Sequence, residues 1–195
     1  RLRAVAELAR AVETSLAPAD LLAALVDAAL TITGAERGFL LLKGDTGLEI
    51  RLARDNRGAA LAPADLRVPL SLIGRALARR RELLSMTFDP NAGDSSMPTR
   101  TVAELSLRSA VCVPLVRLRS GAGFSTGAPP DDDTLGVLYM DSRAGAADLS
   151  AGNPELLQTL ALEASTILEN ARLLEGERAR QRMEEELKIA RQIQS

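Results

Sequence analysis

The sequence predicts an α+β fold, a single antiparallel sheet with flanking helices and extended helices at both the N- and C-terminal ends. Three observations point there. Ala110 to Leu118 and Leu135 to Met140 are nearly continuous apolar runs, as expected of central strands covered on both faces. Phe39 to Leu42 and the alternating Leu48, Ile50 and Leu52 flank Lys43-Gly44-Asp45-Thr46-Gly47, which carries the turn chemistry of a hairpin. The remaining apolar residues recur at helical spacing before and after these strands, which segregates helices from the sheet.

Taken in chain order, Leu2, Val5, Ala9, Val12 and Leu16 alternate steps of three and four, the mark of a first helix with one apolar seam. Pro18 suits a first helical position and Asp20 a helix N-terminus. Leu22, Leu25, Val26, Ala29 and Ile32 then share one face of a second helix before Gly34 closes it. Ser71 is placed to cap a short helix with Leu72, Ile73, Ala76 and Leu77 on its apolar side, and a brief strand, Leu83 to Met86, follows it. Thr87 to Thr99 reads as a polar loop before a short helix around Thr101 to Leu107, and Ser120 to Thr134 as a long excursion between the two central strands. Pro114, within the first of those strands, marks an edge or a bulge, because proline donates no ladder hydrogen bond.

Asn153 and Pro154 start a closing helix with a wide apolar face that includes Leu157, Leu160, Ala161, Ala164, Ile167 and Leu168. Beyond Glu175 the composition turns to Glu, Arg, Gln and Lys, leaving Met183, Leu187 and Ala190 as a sparse seam. That seam is shifted from the one running through Ile167, Ala171 and Leu174, so a register slip and hinge are expected near Gly176. The expected organisation is an N-terminal helix over 1–16 with an apolar seam suited to dimerisation, a globular domain over 17–175 and a helical linker over 176–195. An opening without Met and an ending inside a charged helical pattern read as a piece cut from a longer protein.

At 195 residues and 46% apolar composition the chain can bury one substantial core. A net charge of -2 offers no basic field for nucleic acid or an anionic membrane, and no apolar run reaches the roughly 18 to 20 residues needed to span a bilayer. A cytoplasmic protein with neither partner is expected. With no histidine and one cysteine, Cys112, the sequence lacks the commonest general base, metal ligand and haem ligand, and no intramolecular disulfide can form. Only carboxylates remain for general catalysis, none visibly paired, so catalysis by this segment is not expected. Asp131-Asp132-Asp133 reads as a solvated loop, because consecutive side chains do not converge on one cation. Gly121-x-Gly123 lacks the third glycine and helix that a phosphate site needs.

Four segments together carry a family resemblance: Thr33-Gly34-Ala35-Glu36-Arg37-Gly38-Phe39-Leu40-Leu41-Leu42, Arg108-Ser109-Ala110-Val111-Cys112-Val113-Pro114-Leu115, Leu135-Gly136-Val137-Leu138-Tyr139-Met140-Asp141-Ser142, and Ile167-Leu168-Glu169-Asn170-Ala171-Arg172-Leu173. In order and spacing they resemble the GAF family over roughly residues 14 to 174. Gly34 and Gly38 bracket the passage from helix to strand, where a positive φ or a close backbone approach is expected. A shorter stretch, Glu184 to Gln194, resembles the helix that leads into PPM-type serine phosphatases of bacterial signalling proteins.

The resemblance implies a regulatory module that binds a small molecule between the sheet and the loop-rich face. Phe88, Asp89, Thr101, Ser109, Tyr139 and Asp141 are the candidate pocket residues. Family members attach bilins through cysteine beside histidine and bind haem through histidine. Cys112, set between Val111 and Val113 in a core strand, reads instead as a buried inert thiol, so no bilin, haem or zinc is expected. The cyclic-nucleotide signature of the family has no convincing match. Dimerisation is expected through Leu2, Val5, Ala9, Val12 and Leu16 and through Met183, Leu187 and Ala190, giving a homodimer joined covalently to an output domain. A ligand-free dimerisation scaffold and an enzyme fragment with its own activity are the alternatives: the sensing module predicts an enclosed pocket with convergent polar groups, the scaffold a collapsed core with a large dimer interface, and the enzyme an acid/base or metal constellation.

Overall fold

The computed structural model describes residues 17–78, 83–88, 102–103, 105–117, 133–143, 149, 151 and 153–193. Helix α1 spans Pro18–Thr33. It starts on proline after an extended Ala17 and ends on Gly34 at φ +71°, whose N–H donates to the Leu30 carbonyl. Strands β1 (Arg37–Gly44) and β2 (Gly47–Asp55) form the expected hairpin, Gly44 facing Gly47 across the turn. Helix α2 covers Leu70–Ala78, β3 Leu84–Thr87, β4 Ser109–Val116, β5 Thr134–Ser142 and helix α3 Pro154–Ile193.

The five strands lie in the order β2-β1-β5-β4-β3 with every pairing antiparallel, so the two apolar runs are central neighbours. Alternation along the strands divides the core in two. Leu40, Val111, Val113, Leu138 and Met140 pack with α1 and α3 on the outer face. Phe39, Leu41, Cys112, Val137 and Tyr139 pack with α2, Phe88 and Val102 on the inner face. Pro114 lies beyond the reach of β3, whose pairing stops at Cys112, and a register shift follows between Leu115 and Val116. The missing donor therefore sits where the ladder is open on one side.

Two glycines do what their spacing predicts in different ways. Gly34 supplies the left-handed turn, while Gly38 has ordinary φ but lets α1 close in: a Cβ there would sit 3.0 Å from Leu30 Cγ and Val26 Cγ1. Sequence reading misplaced some boundaries. Helix α2 begins at Leu70, and the Pro69 carbonyl accepts from both Leu72 and Ile73. Ser71 therefore lies inside the first turn rather than at the cap, which falls two residues earlier, at Pro69. The segment expected to be helical through Leu107 instead turns at Ser106, at φ +52°, with the Leu107 N–H on the Val102 carbonyl. Finally, α3 runs unbroken for 40 residues straight through Gly176. One glycine costs a helix only about 1 kcal/mol, too little to interrupt it.

Candidate functional site

Of the candidate pocket residues, Tyr139, Asp141 and Phe88 come together on or beside the inner face, all buried. Asp141 accepts from Arg37 Nε at 2.8 Å, from Arg37 Nη2 at 2.5 Å and from the Tyr139 hydroxyl at 2.8 Å. Arg37 Nη1 donates to the Asp65 carbonyl at 2.8 Å, which ties the segment ahead of α2 to the sheet. Register explains the meeting, since Arg37 is the direct cross-strand partner of Asp141. Arg37 was not among the candidates; its signal in the sequence is a charge heading an apolar strand, three residues after the Gly34 cap of α1.

Electrostatics fit a closed cluster. Burial pulls the Arg37 guanidinium down, but the hydrogen bond and charge of Asp141 outweigh it and hold it above its ordinary value. Burial, and then the Asp141 charge, pushes the Tyr139 phenol well above its ordinary range and the Cys112 thiol up to about 12. Cys112 is thus a protonated core residue facing Tyr139 across the β4–β5 pair. Every strong donor and acceptor of the cluster is engaged within the protein, so Arg37, Tyr139 and Asp141 lock strand ends and loop together rather than reach for a ligand.

The other candidates separate from this cluster. Ser109 shares the parity of Val111 and Val113 and so faces the outer side, opposite Ser142, where among the described residues its buried hydroxyl has no partner. Asp89 and Thr101 lie outside the described residues, as do Leu2, Val5, Ala9, Val12 and Leu16 and the side chain of Ala190. Met183 and Leu187 are exposed on α3.

The open volume on the inner face lies at the other end of the strands. A cavity of about 440 Å³ opens between the β1–β2 hairpin, the start of β5 and α2, bordered by Lys43, Leu48, Gly74, Leu77 and Thr134. It falls in the size range of small-molecule sites and combines an apolar wall with a lysine and a threonine. Gly74 borders it with no atom near the place a Cβ would take. Strand pattern alone could not reveal this cavity, because it depends on how far α2 stands off the hairpin. Among the described residues no cluster of acidic or cysteine side chains could hold a metal ion, and no helix is long and apolar enough to cross a membrane.

A model of the GAF domain matches residues 17–168. The chain belongs to the GAF family. Solved structures, GAF domains among them, superpose on most of its length. The GAF domain of a putative sensor histidine kinase from Pseudomonas syringae pv. tomato is 18% identical, with a TM-score of 0.56 over 90% of this chain and 91% of that one. The blue-light absorbing form of the PixJ GAF domain from Thermosynechococcus elongatus is 16% identical, TM-score 0.55, over 83% and 90%. A methyl-accepting chemotaxis protein, residues 122 to 287, is 18% identical, TM-score 0.56, over 86% and 98%. No curated protein matches the chain. GAF domains are sensory and regulatory signalling modules rather than catalysts, and at these identities the structural likeness speaks for the fold.

Proposed function

We propose that this GAF domain is the small-molecule-sensing and dimerisation module of a bacterial cytoplasmic signalling protein, and that it works as a homodimer controlling a covalently attached C-terminal serine phosphatase of the PPM type. One relationship carries the reading. A single sheet has the 440 Å³ cavity on its inner face and, on its outer face, a helix that continues without a break away from the domain. A ligand that fills the cavity bears on the hairpin and the start of β5, and β5 pairs with β4, the strand against whose outer side α3 packs; Leu157, Leu160, Ala161 and Ala164 bury that side of α3 in the outer core. A small shift of the sheet is then delivered to the far end of a rigid rod. The Glu184–Gln194 stretch supports the phosphatase as the output.

The closed Arg37–Tyr139–Asp141 cluster favours a second reading, a ligand-free dimerisation scaffold, because it fills the other end of the inner face with satisfied side chains. Small molecules released from the purified chain by denaturation and identified by mass spectrometry separate the two. The sensing reading expects one compound at near one equivalent, lost in Gly74→Phe, where the ring occupies the cavity. Release of nothing from a chain purified without dialysis favours the scaffold.

A further inference from the structure

Leu115 pairs with Gly136 and Val116 with Thr134, so Leu135 is an extra residue in β5, a bulge. A bulge re-aims the side chains that precede it. Val137 and Tyr139 belong to the inner core, yet Leu135 packs against the outer one. There it shares a groove of about 490 Å³ with Leu42 of β1 and Leu168 of α3, and all three leucines are only partly buried. Among the described residues Leu168 is the last of α3 to pack on either core, so the groove lies where the helix leaves the domain. Lys43 and Thr134 border both this groove and the inner cavity around the end of the sheet, whereas the three leucines line the outer groove alone.

The charges around these leucines are unequal. Lys43, Arg117 and Arg172 border the groove against two carboxylates, Asp45 and Glu169. Glu169 is already engaged, accepting from Arg117 Nε at 3.3 Å. The Arg117 N–H donates to the Asp133 carbonyl at 2.7 Å, which fixes the strand end that carries this arginine. Arg172 is exposed and has no ion pair among the described residues. A half-covered apolar floor beneath an excess of guanidinium groups suits a ligand with an apolar body and one acidic group, because guanidinium binds carboxylate by charge-assisted, two-pronged hydrogen bonds.

We propose that this groove is a second small-molecule site, separate from the inner cavity, and that its ligand is a compact amphiphilic organic acid. The acid group sits at Arg172 and Arg117, and the apolar body covers Leu42, Leu135 and Leu168. Such a ligand touches the sheet and α3 at once, at the exit of the helix. The groove is rimmed by exposed side chains, so its occupant exchanges freely and is read by titration.

Calorimetric titration of the 195-residue chain with octanoate, 1-octanol and inorganic phosphate tests the assignment. Octanoate should bind one to one at millimolar concentrations, at least tenfold more tightly than octanol or phosphate. Arg172→Gln, an exposed change on α3 that leaves both cores intact, should weaken octanoate at least tenfold, and Arg172→Lys should restore part of the loss. Gly74→Phe, which fills the inner cavity, should bind octanoate like the parent. Failure of octanoate to bind, equal binding of octanol, equal binding of phosphate, or no change in Arg172→Gln overturns the site. Loss of octanoate in Gly74→Phe assigns the acid to the inner cavity and overturns it as well, while leaving the sensing function proposed above standing.

Discussion

Arg37 and Asp141, direct partners across β1 and β5, form a buried two-pronged ion pair with N–O distances of 2.8 and 2.5 Å. Breaking such a pair from one side strands a charge in the core, so Arg37→Met and Asp141→Asn should each cost about 3 to 5 kcal/mol in urea unfolding. The double variant Arg37→Met/Asp141→Leu should recover most of that loss. Tyr139→Phe, which removes one of the hydrogen bonds to Asp141, should cost only about 1 kcal/mol.

Two glycines should respond in opposite directions to the same change. At Gly136 a Cβ would sit 2.0 Å from the Leu41 carbonyl oxygen, a backbone atom of the neighbouring strand, so Gly136→Ala should cost about 1 to 3 kcal/mol or more. At Gly74, inside α2, nothing stands within 4 Å, and Gly74→Ala should stabilise by about 1 kcal/mol through helix propensity. Thermal unfolding of the two variants beside the parent checks both signs.

Cys112 should be silent to alkylating reagents at pH 8 in the folded chain and react only on unfolding, because burial and the Asp141 charge push its thiol up to about 12 from 9.0. The folded form keeps the proton that the unfolded chain releases. Its contribution to stability is therefore fully present below pH 9 and is lost as pH rises toward 12, at about 1.4 kcal/mol for each pH unit. Tyr139, also raised, acts in the same direction. In urea titrations from pH 8 to 11, Cys112→Ala should flatten the alkaline fall.

Legibility of the sequence followed the length of each signal. The central strands, the hairpin and the closing helix rest on apolar runs or periodicities that tertiary contacts reinforce, and they appear where spacing puts them. Tyr139 and Asp141 were legible as special because polar groups interrupt an apolar strand, but their role was not. Only the register that sets Arg37 opposite Asp141 reveals that the carboxylate is already satisfied. Ser109 was assigned to the pocket without counting strand parity, which turns it to the outer face. The break expected at Gly176 read two apolar stripes on different sides of α3 as one displaced stripe. Burial sets Ile167 against the outer core, whereas Leu162, Leu173, Leu174, Met183 and Leu187 are all exposed.

Native mass spectrometry of the purified chain beside Gly74→Phe tests the sensory account most directly, because it weighs ligand and assembly together. The account predicts a dimer carrying one small-molecule adduct per protomer, and a Gly74→Phe dimer of bare mass that unfolds no earlier than the parent. A parent dimer of bare polypeptide mass, or an adduct that persists in Gly74→Phe, would contradict it.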